Sequence, residues 1–166
     1  MHIIVKNKKL YIDNYNVKCA IGKRGIGNKI KEGDYITPKG KYRIKSILYR
    51  KDRVPNLKSN MNKIIIKKNM GWCNDPSSNK YNKLVKLPSN YNHEILYKQN
   101  NTYDIVLVLE YNMNPIKKNK GSAIFIHVAK KNYKKTEGCI AIKKIELLKI
   151  IKNISKKTKV KISNRR

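Results

Sequence analysis

Acidic residues are scarce in this chain: ten Asp plus Glu stand against forty Lys plus Arg, a formal charge of +30 over 166 residues. Cysteine is nearly as sparse. Cys19, Cys73 and Cys139 form an odd set without a CxxC pair, which excludes a complete disulfide framework and argues against a structural zinc site. Three histidines, His2, His93 and His127, are too few and too scattered to read as a metal cluster, so no metal and no cofactor is expected. No apolar run is long enough to cross a bilayer, and stable membrane insertion is not expected. The N-terminus, Met1 to Lys6, has the look of a strand and lacks the basic region, long apolar segment and cleavage site of a signal peptide. That reading leaves a trimmed form, export by another route, or a cytoplasmic protein.

A charge of this size normally points to a polyanion. The lysines, however, come in ones and twos along the whole chain, amid Asn, Ile and Tyr, as an A/T-rich coding sequence would also produce. No RNA-recognition signature, zinc-finger spacing or basic zipper is present, so nucleic acid is not expected as a partner. Internal repeats are lacking too, and Ser163–Arg166 read as a tail.

What is present is a series of short apolar runs punctuated by Gly, Pro, Asn and Asp, the pattern of a mainly β domain. Candidate strands are Ile3–Val5, Lys9–Asp13, Asn16–Ile21, Gly40–Tyr49, Lys63–Lys67, Tyr103–Glu110, Ser122–Val128, Cys139–Ile142 and Lys159–Ile162. Gly22–Gly27 reads as a tight β loop, Thr37-Pro38 as a turn. One amphipathic helix is predicted over Lys143–Ile154, its Ile and Leu residues at helical intervals.

Two of these runs carry chemistry. In Gly121-Ser122-Ala123-Ile124-Phe125-Ile126-His127-Val128, strand alternation puts His127 opposite Ile126 and Val128. In Thr136-Glu137-Gly138-Cys139-Ile140-Ala141-Ile142, Cys139 lies opposite Ile140 and Ile142. If the runs pair as antiparallel neighbours over one aliphatic core, His127 and Cys139 emerge together on the other face, as a thiol nucleophile and its base require. The competing reading is a small buried cysteine and a packed histidine. Gly138 favours chemistry, since a glycine before the nucleophile allows close approach of the backbone and free N–H groups for an oxyanion. Between Gly71 and Pro88, a stretch read as poor in regular structure, Trp72, Tyr81 and Asn82 either wall a ligand groove or cap the core.

Together these segments resemble the YkuD-type L,D-transpeptidase catalytic domain. The resemblance rests on Cys19-Ala20-Ile21-Gly22, Glu32-Gly33-Asp34, Thr37-Pro38-Lys39-Gly40, Tyr49 to Arg53, Trp72 to Asn82, Tyr103-Asp104, Gly121 to His127 and Thr136-Glu137-Gly138-Cys139. Glu137 replaces the second histidine of the common motif, and the His-to-Cys interval is short, as in a divergent subgroup with Thr-Glu-Gly-Cys.

The resemblance implies a single catalytic domain over residues 1–166, a β-sandwich with one C-terminal helix packed on the sheet. It implies Cys139 as nucleophile, His127 as base and Gly138 beside the oxyanion, with an imidazolium, Lys134 and Lys135 lowering the thiol pKa against Glu137, a sum whose sign the sequence leaves open. The substrate would be a peptidoglycan stem peptide, attacked through a thioester in the cell envelope or periplasm. Arg50 and Arg53 are candidates to pair with substrate carboxylates, and Glu137, Trp72, Tyr81 and Asn82 to touch the stem. Two alternatives remain: an L,D-carboxypeptidase or amidase-type hydrolase using the same Cys-His pair, and a non-catalytic basic wall-binding domain.

Overall fold

The computed structural model describes residues 1–164. Its strands begin with β1 (His2–Lys6), β2 (Lys9–Ile12), β3 (Tyr15–Lys18), β4 (Ile26–Gly27), β5 (Thr37–Pro38), β6 (Gly40–Tyr49) and β7 (Lys63–Ile65). They continue with β8 (Met70–Cys73), β9 (Leu84–Lys86), β10 (His93–Ile95), β11 (Ile105–Leu109), β12 (Phe125–Val128) and β13 (Ile140–Ile142). Helix α1 (Lys144–Asn153) and β14 (Lys159–Ile162) close the chain. The fold is mainly β, as the alternating runs predict.

One large sheet has the order β13-β12-β11-β6-β14-β1-β2-β3, with β7 pairing to β6 at the side. Its strands alternate across two cores. On β11, whose five residues are all buried, Ile105, Leu107 and Leu109 join the larger core, with Leu147, Ile150 and Ile151 of α1. Val106 and Val108 face the other way, into a smaller core with Leu48, Trp72, Leu96, Tyr103 and Phe125. A continuous apolar run is what a strand covered on both faces requires. The cover on the second face is a three-stranded sheet, β10-β8-β9, which makes the molecule sandwich-like.

Three expectations are corrected here. β12 and β13 pair in parallel, not antiparallel, with His127 opposite Ala141. Parity depends only on alternation, so it survives: Ile126, Val128, Ile140 and Ile142 enter the larger core together. The Gly71–Pro88 stretch is not poor in structure, since Met70–Cys73 is the central strand of the small sheet. Thr37-Pro38 forms β5 beside β4, where Thr37 Oγ1 accepts a hydrogen bond from Gly22 N–H at 2.8 Å. Of the expected tail, Ser163 donates from its N–H to Val5 O at 3.0 Å, while Arg165 and Arg166 lie outside the described residues. No described helix is long and apolar enough to cross a membrane.

Asp104, at the start of β11, ties three elements together. Its carboxylate is buried and receives Arg53 Nη1 at 2.9 Å and Lys144 Nζ, from the first residue of α1, at 2.8 Å. Asp104→Asn leaves two cations facing a neutral amide. The variant should lose about 1–3 kcal/mol, the partly exposed cations keeping the cost below that of a fully buried pair. Thermal denaturation by circular dichroism checks this as a Tm lowered by several degrees.

Candidate active site

The Thr-Glu-Gly-Cys turn is built by its own threonine. Thr136 Oγ1 donates to Cys139 O at 2.5 Å and accepts Gly138 N–H at 3.2 Å, closing the turn just before β13. Thr136 also exchanges backbone bonds with Ile21 O and Lys23 N–H, which fastens the turn to the Ala20–Gly22 segment. Gly138 is required by this geometry. Its φ is +145°, and a Cβ there would stand 3.0 Å from Ile36 O. Gly138→Ala should therefore cost about 1–3 kcal/mol and displace the cysteine. A chemical melt together with an acylation assay should show at least roughly tenfold slower acylation even where the variant remains folded.

Cys139 and His127 face the same side of the sheet. In the parallel register His127 lies beside Ala141, so Cys139 is its diagonal neighbour. Both line a cavity of about 810 Å³ that opens to the surface. The thiol does not bond to the imidazole in this state. It donates to Ala123 O at 3.1 Å and receives Phe125 N–H at 3.4 Å. His127, 6% exposed, has Nδ1 3.0 Å from Val128 O. A carbonyl only accepts, so Nδ1 carries the ring proton and Nε2 is left as an acceptor. The Tyr103 ring and the imidazole pack in a T-shape, with centroids 5.4 Å apart and planes at 77°.

The expected imidazolium is corrected by these surroundings. Burial lowers the His127 pKa to about 4, the Val128 carbonyl acting against that shift only in part. Burial likewise pushes the Cys139 thiol up to about 12, opposed by the Phe125 N–H. At neutral pH the couple is a thiol beside a neutral imidazole.

The other candidates divide. Glu137 is exposed and lines the cavity. Trp72, Tyr81 and Asn82 are buried behind it and do not form a groove wall. Trp72 packs edge-on against Phe125 and donates Nε1–H to Asn82 Oδ1 at 3.0 Å. Asn82 Oδ1 also accepts Ala123 N–H at 3.1 Å, and Tyr81 bonds to Glu32 and to Gly121 N–H. The three hold in place the segment whose carbonyl receives the thiol. Arg50 and Arg53 are not at the cavity. Arg50 grips Asp52 with Nε and Nη2, donates to Lys98 O and stacks over Tyr97, its guanidinium 3.5 Å from the ring centre. Arg53 binds Asp104 and the Gln99 and Asn100 carbonyls. The arginines secure the loop that carries Lys98, and each already makes three hydrogen bonds within this chain.

Sequence reasoning missed Lys29, Glu94, Lys98, Tyr103 and Ala123 as cavity residues. Glu94 accepts from Tyr103 OH at 3.0 Å and pairs with Lys98 at 2.6 Å. Tyr103 and Ala123 lie in segments that carry the family resemblance, whereas Glu94 and Lys98, on and just after a strand, have no local pattern that marks them. Among the described residues no group of three or more His, Cys, Asp or Glu is placed to hold a metal ion.

No curated protein matches the sequence. Two solved structures of the helical cell shape determining protein Pgp2 from Campylobacter jejuni, one of them a point mutant, align with 99% of this chain at 17% and 18% identity, each with a TM-score of 0.47. The chain spans about half the length of those proteins, 47% and 48%. The model of the YkuD family, the L,D-transpeptidase catalytic domain, matches residues 1–162, and the chain belongs to that family.

Proposed function

We propose that the protein is a cysteine-dependent L,D-transpeptidase acting on peptidoglycan stem peptides in the cell envelope. The observation that carries this reading is the juxtaposition of Cys139 and His127 in one open cavity, with His127 Nε2 left as an acceptor. Cys139 Sγ leaves Ala123 O and attacks the carbonyl of the third stem residue, while its proton passes to His127 Nε2. The S–C bond forms as a tetrahedral oxyanion develops. Gly138 N–H is engaged by Thr136, so the adjacent Cys139 N–H, which meets no acceptor among the described residues, is the backbone donor for that oxyanion.

Collapse breaks the C–N bond, and the imidazolium protonates the departing amine of the terminal residue. The thioester is then captured by an acceptor amine, which gives up a proton to His127 as the C–S bond breaks and the thiol is restored. Because both partners start neutral, proton transfer accompanies attack instead of preceding it. The same acyl-enzyme hydrolysed by water would give a carboxypeptidase. Incubation with a stem tetrapeptide and an amine acceptor tests the assignment: a cross-linked adduct supports transfer, and exclusive tripeptide release replaces it with hydrolysis.

A further inference from the structure

A neutral imidazole leaves the thiolate without a permanent cation in the Cys-His couple, yet the cavity contains a buried one. The Lys29 side chain is 3% exposed and lines the same cavity as Cys139. Its ammonium pairs with the equally buried Asp34 at 2.5 Å and reaches Ile36 O at 3.3 Å. That carbonyl oxygen is the one 3.0 Å from where a Gly138 Cβ would stand, so a single peptide group separates the ammonium from the nucleophile turn. Asp34 does not line the cavity. It is turned away, accepting the N–H groups of Ile30 and Ile36 at 2.7 and 3.1 Å. Burial pulls the Asp34 carboxyl up, but Lys29 and those N–H groups outweigh it and hold the pKa below its ordinary value. Asp34 is thus held as the carboxylate, and of the pair only Lys29 reaches the cavity that Cys139 lines.

We propose that the Lys29–Asp34 pair is a fixed dipole that supports the Cys139 thiolate as it forms, making Lys29 a positioning residue of the reaction. The inference rests on Cys139 being the nucleophile. Of the charged groups facing the thiol, Lys29 favours the thiolate, while Glu94 and Glu137 oppose it. His127 is uncharged at rest, and the Tyr103 phenol is held neutral by burial. Lys23, Lys130, Lys134 and Lys135 stand in the cavity lining as well. Of the six cavity lysines, Lys29 alone is buried with its counter-ion set behind it. A charge that is itself buried is screened less than the exposed lysines at the cavity mouth, so it acts on the thiol more strongly than they do.

The test is the rate at which iodoacetamide alkylates Cys139, followed by peptide mass spectrometry across pH, since that rate tracks the thiolate fraction. Replacing Lys29→Met together with Asp34→Asn removes the dipole without leaving a buried charge unpaired, and should slow alkylation roughly three- to tenfold at fixed pH. Asp34→Asn alone frees the ammonium from its counter-ion and should speed alkylation, whereas a merely structural pair predicts no rise. Lys29→Arg keeps the charge and should keep the rate. An unchanged rate in the folded double variant overturns the proposal. If that variant does not fold, an unchanged or lower rate in Asp34→Asn overturns it. Alkylation needs no substrate: failure of wild-type protein to form any acyl-enzyme refutes the proposed function, whereas unaltered alkylation in the variants refutes only the role of Lys29.

Discussion

Replacing Cys139 with Ala should abolish acyl-enzyme formation while leaving the protein folded. A carbapenem, a β-lactam that acylates nucleophiles, serves as the probe. Intact-mass measurement should show one adduct on wild-type protein and none on the variant, with stem-peptide turnover reduced by roughly a thousandfold or more, as expected when a nucleophile is removed from a catalytic unit. The fold should tolerate the change. Sγ makes two weak contacts, with Ala123 O and Phe125 N–H, so the cost is about 1 kcal/mol or less. Cys19 and Cys73, each 1% exposed, are internal controls, because labelling at either would report unfolding rather than catalysis. Cys139→Ser sharpens the test: the hydroxyl keeps both hydrogen bonds but is a far poorer nucleophile in a site without a strong base. An adduct that persists on folded Cys139→Ala would remove Cys139 from the mechanism.

The site was legible in the sequence to the extent that alternation dictates it. Parity put Ile126, Val128, Ile140 and Ile142 in the core and so sent His127 and Cys139 to the opposite face. Parity carries no information about strand direction, which explains why the same reasoning yields an antiparallel pair where the chain crosses over and returns in parallel. The small sheet was illegible for another reason. β8 contains Met70, Gly71, Trp72 and Cys73, all intermediate or buried, so no polar alternation marks it as a strand. Its partners β9 and β10 are three residues each.

Arg50 and Arg53 show the limit of reading charge from sequence. Their residue types suit carboxylate recognition, and each does bind a carboxylate, but one supplied by this chain. The partners that occupy Arg53 lie 46 to 51 residues away, a distance no local pattern spans. The cavity's acid and wall residues have the same cause: Glu94 arrives on the small sheet and Tyr103 just ahead of β11, and only the packing of the two sheets brings them to His127.

His127→Asn should lower acylation by about 10²–10⁴-fold, the usual contribution of a positioned base, and should also change how stability depends on pH. Burial holds the folded-state pKa of His127 at about 4, against an ordinary 6.5. Between those values the unfolded chain takes up a proton that the folded chain refuses, so stability is complete above pH 6.5 and declines as pH falls toward 4. Two and a half pKa steps correspond to on the order of 3 kcal/mol. Asn carries no titrating ring and its amide can still donate to the Val128 carbonyl, so the variant should lack this acid limb in urea denaturation while wild type shows it. The thiol imposes the opposite limb: raised from 9.0 to about 12, it withdraws stability as pH climbs above 9, a loss that Cys139→Ala should erase. Catalysis reports the same constants independently. A neutral resting pair predicts that kcat/KM keeps its plateau down through the ordinary histidine range and falls only near pH 4. An acid limb centred near 6.5 would show that burial does not hold His127 neutral down to pH 4, whereas an alkaline limb from loss of an imidazolium proton would return the mechanism to a preformed thiolate–imidazolium pair.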